Sequence, residues 1–285
     1  MKEGTLYLVP LAIGNPLDIS PRAIECLSNV EIILCEDTRT FALNMAKFSL
    51  SANLLSYHAH NEAERNPEVL DLLAAGHDLA LVSDAGMPVI SDPGQSLVRA
   101  CREARLRVSA LPGPNAALTA LVASGLDASR FVFEGFIGKR DAELRRRLLE
   151  LLSEERSMIF YEAPHRLARF YNIAEEVGLG DRLLLAAREL TKQYEEYSFL
   201  TLKEHLELLE IKEPRGEYVL VLEGLAEYRK RCPEAVRASE ANELLERMQA
   251  GLESGKPLKE IAKELSQQFN YSKREIYQKL LDISK

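Results

Sequence analysis

The feature that most limits the possible folds is an alternation of short apolar runs with helical patterns over the first 111 residues. The apolar runs are rich in β-forming residues and lie at residues 5–10, 30–35, 79–83 and 107–111. The helical patterns between them lie at about residues 20–29, 62–76 and 94–105. Short apolar runs predict buried strands, and alternation of strands with helices favours parallel sheets. The N-terminal part is therefore predicted to be an α/β domain with a parallel sheet.

The second half of the chain predicts a different α/β domain, followed by helices alone. Its predicted strands are residues 131–136, 157–161, 183–188 and 217–223, and its predicted helices are 141–153, 164–177 and 202–210. We expect a mixed sheet there. Beyond Tyr228 only helical patterns remain, at about residues 235–250, 257–268 and 272–283, and they suggest a helix-turn-helix-like tail. The predicted domains are residues 1–113, 114–226 and 227–285.

Composition excludes several classes of protein. No run of about 18 apolar residues occurs, and the start carries Glu3 without a cleavable apolar core, so we expect no membrane span, no signal peptide and a cytoplasmic location. The four cysteines are far apart and form no CxxC pair, which argues against a zinc cage or a disulfide framework. We expect them to pack as small apolar side chains.

Three turns rich in glycine and proline follow predicted strands of the first domain. They have the sequences PLAIGN from Pro10, SDAGMP from Ser83 and LPGPNA from Leu111. In a parallel sheet all three lie at the carboxyl edge, where open α/β sheets bind ligands, so they predict one pocket. Neither GxGxxG nor GxxxxGK[ST] follows the first strand, which argues against the dinucleotide fingerprint and the P-loop.

The acidic motifs allow more than one interpretation. Asp84 and Asp92 stand in tandem motifs, SDAG and SDPG, that are compatible with a Mg²⁺ site for phosphoryl transfer. The preferred interpretation is that Asp92 caps the helix beginning near Pro93, which leaves Asp84 as the functional candidate. His58 and His60 have no third ligand at a recognisable spacing, so no metal site is predicted.

Charge is unevenly distributed. The net charge of −8 argues against generic attachment to nucleic acid. Residues 1–129 and 171–225 each carry −6, whereas 130–170 and 226–285 each carry +2. The segment 139–147 concentrates basic residues, either as a solvated helix face or as a contact for substrate phosphates. This distribution predicts recognition of a shaped RNA surface with limited affinity for arbitrary RNA.

The order of these motifs resembles the tetrapyrrole-methylase superfamily, and most closely its ribosomal RNA branch, the small-subunit methyltransferases I that methylate a cytidine 2′-hydroxyl of 16S rRNA. The resemblance covers about residues 4–224, through GTLYLVP, IGN, EDTR, LVSDAG, SDPG, LPGP, FEGF, IFYEAPHR and ARELTK, and continues into the tail. It implies two α/β domains with S-adenosylmethionine in the cleft between them, usually in a homodimer, and a small helical C-terminal domain.

Position by position, the resemblance also implies site residues. The implied cofactor contacts are Pro10, Asp84, Ala85, Gly86, Asn115, Ala116, Tyr161, Glu189 and Leu190. The expected substrate contacts are Thr38, Arg39, Lys139, Arg140, Arg166 and Lys192, of which Lys139 and Arg140 come from the basic segment. The chain departs from the family pattern at Leu11, Ala12, Met87 and Gln95.

The implied reaction needs an acceptor for the proton of the 2′-hydroxyl group. The candidate bases are Asp37, Glu162 and His165, with Arg39 and Arg166 expected to hold phosphates. Two alternatives remain: a methyltransferase of the same fold acting on a small tetrapyrrole, and a ribosome-binding protein without catalytic activity.

Overall fold

The structure is a computed structural model that describes residues 3–47, 51–138, 140–269 and 271–283. The chain divides into two compact units, one ending at Gly224 and the other beginning at Leu225. The first unit contains two five-stranded sheets, and the second is helical. The further division of the first unit between residues 113 and 114 stays a prediction.

The first sheet is parallel, as the alternation predicted, with the strand order β3-β2-β4-β1-β5. Its strands are β1 (Thr5–Leu8), β2 (Ile32–Cys35), β3 (Asn53–Ser56), β4 (Leu79–Leu81) and β5 (Arg107–Ala110). The edge strand β3 was not predicted from the sequence. It is short and largely half-exposed, so it lacks the apolar run that marks a buried strand.

Helices connect these strands. They are α1 (Pro21–Asn29), α2 (Thr38–Lys47), α3 (Glu62–Ala74) and α4 (Gln95–Glu103). Ser20 caps α1 by accepting a hydrogen bond from the Ala23 N–H at 3.1 Å, as predicted. The prediction that Asp92 caps the helix after β4 was wrong, because this helix, α4, begins at Gln95 and Gly94 occupies its N-cap. The side chain of Asp92 is thereby available for another role.

The second sheet is mixed, as expected, with the order β6-β7-β10-β8-β9. Its strands are β6 (Phe131–Gly135), β7 (Ser157–Glu162), β8 (Leu183–Arg188), β9 (Glu196–Thr201) and β10 (Tyr218–Leu222). Only β6 and β7 run parallel, and β10 lies antiparallel between β7 and β8. The edge strand β9 was not predicted, since its exposed polar positions interrupt the apolar pattern.

Helices cover both faces of the second sheet. These are α5 (Ala116–Ser124), α6 (Asp141–Leu151), α7 (Leu167–Glu176) and α8 (Leu202–Leu209). On one face α5 packs through Ala117 and Leu121 in a cluster that contains Ile159 of β7. On the other face, α6, α7 and α8 share a core with Met158 and Phe160. Successive residues of β7 therefore serve opposite faces, as the alternation along a strand requires.

The second unit consists of α9 (Leu225–Arg231), α10 (Pro233–Glu253), α11 (Leu258–Gln268) and α12 (Lys273–Ile283). Its core contains Met248 of α10, Leu265 of α11 and Leu280 of α12. Ser272 caps α12 by accepting a hydrogen bond from the Glu275 N–H at 3.2 Å, whereas Asn270, also assigned to this turn, lies outside the described residues. Within the described ranges, no helix combines the length and apolar character needed to cross a bilayer.

Candidate functional site

The three predicted turns converge at the carboxyl edge of the first sheet. Leu11 and Gly86 exchange backbone hydrogen bonds of 2.9 and 3.1 Å, which join the turn after β1 to the turn after β4. The third turn lies against the first, because a Cβ atom at Gly113 would collide with the ring of Pro10. The turns therefore form one continuous wall, as the sequence predicted.

A cavity of about 400 Å³ lies between this wall and the second sheet. Its first-sheet side is formed by Ile13, Asp84, Ala85, Gly86, Met87, Ile90, Ser91, Asp92, Asn115 and Ala116. Its second-sheet side is formed by Phe136, Tyr161, Glu162, Ala163, Pro164, Ala187, Leu190, Glu217, Tyr218 and Val219. This volume falls within the range of small-molecule sites.

Strand direction explains why Glu217, Tyr218 and Val219 line the cavity. Because β10 runs antiparallel between β7 and β8, its first residues lie beside their carboxyl ends, with Tyr218 paired to Glu162 and to Arg188. A prediction from the sequence lacks this information, since the position of β10 in the sheet is not encoded in a local motif.

Contacts between the turn after β1 and the turn after β8 join the two sheets beside the lining residues Ile13 and Leu190. The Asn15 N–H donates to Thr191 Oγ1 at 3.0 Å, and Gly14 lies so close to Leu190 and Lys192 that a Cβ atom would clash. Thr191 has a φ of 64°, a left-handed conformation that is rare for a β-branched residue. The inter-sheet contact therefore holds Thr191 in a strained conformation.

Most residues implied as cofactor contacts reach the cavity. Those in the lining are Asp84, Ala85, Gly86, Asn115, Ala116, Tyr161 and Leu190. Pro10 lies behind the wall, in contact with Gly113. Glu189 is also outside the lining and accepts hydrogen bonds from the Glu217 N–H and Lys192 Nζ. Both residues support the wall, and their direct contact with a cofactor stays a prediction.

The lining carries an unexpected electrostatic character. It contains four acidic residues, Asp84, Asp92, Glu162 and Glu217, and no lysine, arginine or histidine among the residues that the structure describes. The carboxylates of Glu162 and Glu217 pair with Arg166 and Lys192, so Asp84 and Asp92 give the cavity its acidic character. Such a site favours a ligand with an apolar body and positive charge over a polyphosphate.

Asp92 is the acidic residue that sequence reasoning missed. It lies partly buried in the lining, and this burial raises the pKa of its carboxyl group. A hydrogen bond with Ser83 lowers that pKa, and the negative charge of the neighbouring Asp84 raises it. Burial raises the pKa of Tyr161 on the opposite wall, a backbone hydrogen bond with Ala117 opposes this, and the Asp92 carboxylate raises the pKa further. The Asp92 carboxylate therefore acts across the cavity. The motif SDPG was the available signal, but the capping interpretation set it aside.

Asp37 lies outside the lining and caps the first turn of helix α2. Its Oδ1 atom accepts the backbone N–H of Arg39 at 2.8 Å, and this bond and a longer one from Thr40 lower the pKa of the Asp37 carboxyl. The side chain of Arg39 is 93% exposed. Thr38 begins the same helix. Roles for these three residues toward RNA stay predictions.

Glu162 contributes to the lining, but its carboxylate lies on the other face of the sheet. Since side chains alternate along a strand, Glu162 shares the face of Phe160 and not that of Tyr161. Only 1% of its side chain is exposed, and its Oε1 atom lies 3.2 Å from Arg166 Nε. Burial raises the pKa of Glu162, although the Ala163 N–H and Arg166 oppose this. Glu162 is thus half of a buried ion pair.

Arg166 positions the loop after β6. Its Nη2 atom donates to the carbonyl oxygens of Ile137 at 3.0 Å and Gly138 at 2.9 Å, and Arg169 donates to the same Gly138 oxygen. His165, in the same short 3-10 turn, is exposed and outside the lining. These contacts explain the polar motif YEAPHR structurally, and phosphate binding by Arg166 stays a prediction.

The basic segment after this loop is ion-paired where it is described. Its pairs are Arg140 with Glu143, Arg145 with Glu176, Arg146 with Glu150, and Arg147 with Glu134 and Glu150. Lys139, also predicted to contact substrate, lies outside the described residues. Lys192 pairs with Glu189 and with Glu217 at the cavity rim. The solvated-face interpretation therefore accounts for much of this segment.

The remaining candidates for metal or redox chemistry do not cluster. Cys35 and Cys101 are buried, as expected of apolar packing, and Cys26 and Cys232 are half-buried. Over residues 3–47, 51–138, 140–269 and 271–283, no group of three or more histidine, cysteine, aspartate or glutamate side chains is arranged to hold a metal ion.

Asn115 supports both the cavity wall and helix α5. Replacing it by alanine is expected to lower the free energy of unfolding by about 1 kcal/mol, because its Oδ1 atom accepts the Leu118 N–H at 3.0 Å as an N-cap. Urea unfolding measures this change. Asn115→Ser keeps a capping oxygen and is the control. Equal stability of the alanine and serine variants would contradict the capping role.

Comparison with known proteins gives the lineage. A family model described as Tetrapyrrole (Corrin/Porphyrin) Methylases matches residues 5–205. A relative from Synechocystis sp., named Ribosomal RNA small subunit methyltransferase I, is 38% identical over 98% of both chains. A relative of the same name from Escherichia coli O157:H7 is 44% identical over 78% of both chains.

A solved structure shares the fold. Uroporphyrin-III C-methyltransferase from Thermus thermophilus, complexed with S-adenyl homocysteine, aligns with a TM-score of 0.53 and 19% identity, covering 77% of this chain and 97% of that one. The family match and the relatives confirm the resemblance found in the motifs. The chain therefore belongs to the tetrapyrrole methylase family, and within it to the ribosomal RNA small subunit methyltransferase I group.

Proposed function

We propose that this protein transfers a methyl group from S-adenosylmethionine to the 2′-hydroxyl of a cytidine in 16S rRNA of the small ribosomal subunit. The observation that carries the proposal is the cavity between the two sheets, whose lining combines backbone turns with carboxylates and, over the described part of the chain, contains no basic residue. The names of the relatives support rRNA as the substrate.

The cavity fits the cofactor chemically. Its acidic lining suits a ligand that carries sulfonium and ammonium charges, and Gly86, at a φ of 72°, lets backbone approach the ligand. We expect Asp84, Gly86, Asn115, Ala116, Tyr161 and Leu190 to hold it. Bound S-adenosylmethionine supplies an electrophilic methyl group. The residues of the chain then have to align the ribose oxygen, exclude water and accept one proton.

Asp92 is the best placed proton acceptor. It combines a position in the lining, partial burial and a pKa raised above its usual range, all of which favour a general base. The candidates from the sequence have other environments: Asp37 caps α2, the Glu162 carboxylate pairs with Arg166, and His165 is exposed. We therefore assign proton removal to Asp92.

Methylation of isolated small subunits tests the proposed function. We expect the protein and S-adenosylmethionine to add one 2′-O-methyl group to a cytidine of 16S rRNA in 30S particles from a deletion strain, detected by mass spectrometry of nuclease digests. Uroporphyrinogen, as an alternative acceptor, is expected to remain unmodified. Methylation of uroporphyrinogen alone would favour the tetrapyrrole alternative, and absence of cofactor binding would favour the non-catalytic one.

Gly86→Ala tests the location of the cofactor. We expect about a tenfold loss of S-adenosylmethionine affinity in calorimetry, because the new methyl group would lie 3.1 Å from Ile13 Cγ2 in the lining. Gly125→Ala is a matched control, since Gly125 has the same φ of 72° with open space around it. Equal affinities in the two variants would contradict binding at this wall.

Two features of the proposed assembly remain predictions. The family resemblance implies a homodimer, which light scattering tests. A cytoplasmic location is expected of an enzyme acting on ribosomal subunits.

A further inference from the structure

Phe136 is an exposed aromatic residue at the rim of the cavity. It directly follows β6, contributes to the lining, and leaves 59% of its surface in solvent. Exposing a large aromatic side chain forgoes the favourable free energy of burying it. The packing of the free protein thus gives no reason for this exposure.

The ring of Phe136 is nevertheless held in place. It contacts Tyr161 edge-to-face, with ring centroids 5.5 Å apart, and Tyr161 packs against Phe133 at 5.1 Å. The backbone that follows is fixed by hydrogen bonds from Arg166 and Arg169 to the Gly138 carbonyl oxygen. Phe136 is therefore an exposed ring on a rigid support, which reduces the entropy lost on binding a partner.

A second apolar side chain is exposed at the rim from the opposite wall. Ile90 is 39% exposed and lies in the loop after β4, between Val89 and Ser91, whose φ values are 77° and 67°. Such values are rare for residues other than glycine, so the loop maintains an unfavourable backbone while presenting Ile90. Apolar surfaces from both walls thus border the entrance.

These observations identify the chemical class of ligand that fits the rim. A flat, apolar face above an acidic cavity suits an unpaired nucleobase, which stacks on aromatic rings when it leaves its helix. We propose that Phe136 is the stacking platform that holds the base of the target nucleotide while its ribose enters the cavity. This inference rests on the proposed function, because it assumes an RNA substrate at this site.

Fluorescence gives a direct test. The chain has no tryptophan, so Phe136→Trp introduces a single reporter. We expect a short single-stranded oligoribonucleotide containing cytidine to quench it, and the same sequence in a duplex to quench it much less. Phe131→Trp is the matched control, since Phe131 begins the strand β6 that Phe136 follows, is 38% exposed and is outside the lining. Equal quenching of the two variants by the oligoribonucleotide would overturn the proposal. Quenching of the Phe136→Trp variant by S-adenosylmethionine alone to the same extent as by the oligoribonucleotide would also overturn it.

Steady-state kinetics with 30S subunits gives a second readout. Phe136→Leu, which keeps an apolar side chain without a ring, is expected to raise KM for the subunits about tenfold. Phe136→Tyr, which keeps an aromatic ring, is expected to have the KM of the unmodified protein. Cofactor affinity, measured by calorimetry, is expected to stay unchanged. An unchanged KM in an active Phe136→Leu enzyme would overturn the inference alone. Failure of the unmodified protein to methylate 30S subunits would instead count against the proposed function, and the oligoribonucleotide titration would still decide the role of Phe136.

Discussion

Replacing Asp92 by asparagine is expected to slow single-turnover methyl transfer by about 10²- to 10⁴-fold, the range associated with loss of a general base. The amide keeps the size of the side chain and one oxygen that accepts hydrogen bonds, but it does not take up the hydroxyl proton. Rapid-quench measurement with 30S subunits and saturating cofactor isolates this step from binding. Cofactor affinity, measured separately, is expected to change much less.

The pH profile distinguishes chemistry from positioning. A base acts in its ionised form, so the rate of the unmodified enzyme should fall about tenfold per unit of pH below the pKa of Asp92. Burial raises that pKa, so this limb lies above the usual range of an aspartate. Asp92→Asn should lose the limb as well as the rate.

The same assay decides between Asp92 and the candidates suggested by the sequence. Asp37→Asn, Glu162→Gln and His165→Gln are the comparison variants. A near-normal single-turnover rate in Asp92→Asn would refute its role. Loss of both the rate and the pH limb in one of the other variants would identify that residue as the acceptor.

Arg166→Leu is expected to lower the free energy of unfolding by about 3 to 5 kcal/mol, the range for breaking one side of a buried ion pair. Glu162 is 1% exposed and Arg166 is 20% exposed, so the variant leaves a carboxylate buried without its nearest cation. It also removes the donors to the Ile137 and Gly138 oxygens. Chemical denaturation measures the change.

The double variant Glu162→Gln with Arg166→Leu is the control. It removes the buried charge along with its partner, so we expect it to recover a substantial part of the lost stability. The deficit of the single variant should also shrink as the pH falls. Burial already raises the pKa of Glu162, and loss of Arg166 raises it further, so the folded state then takes up a proton more readily than the unfolded state. A deficit below about 1 kcal/mol would contradict the structural role.

Local sequence patterns were sufficient for the regular elements of the core. Buried strands such as β8 are continuous apolar runs, and Ser20 with Pro21 marks the beginning of α1. The same reasoning failed at one edge strand of each sheet. The strands β3 and β9 are partly exposed, so burial does not impose an apolar pattern on them. Their pairing with β2 and β8 defines them as strands.

The candidate site shows the same limit. The turns at Gly86 and Asn115 were predicted because glycine, proline and capping residues constrain the backbone locally. The separation of the Glu162 carboxylate from the cavity was not predicted, since it depends on the direction of one side chain within a mixed sheet. The role of Asp92 was misassigned because a helix cap and a pocket carboxylate have the same sequence signature.

By itself, the sequence determined the two α/β sheet-and-helix regions, the helical tail, the sheet edge at which the ligand cavity lies, and the family. These follow from periodicity, turn chemistry and an ordered series of motifs. The tertiary structure decided which polar groups meet. It placed β10 between β7 and β8 and brought Asp92 and Phe136 to one cavity. It also paired Arg166 with Glu162 and with the carbonyl oxygens of the loop after β6. The physical reason is that contacts between residues distant in the chain depend on strand order and side-chain direction, which no local pattern specifies.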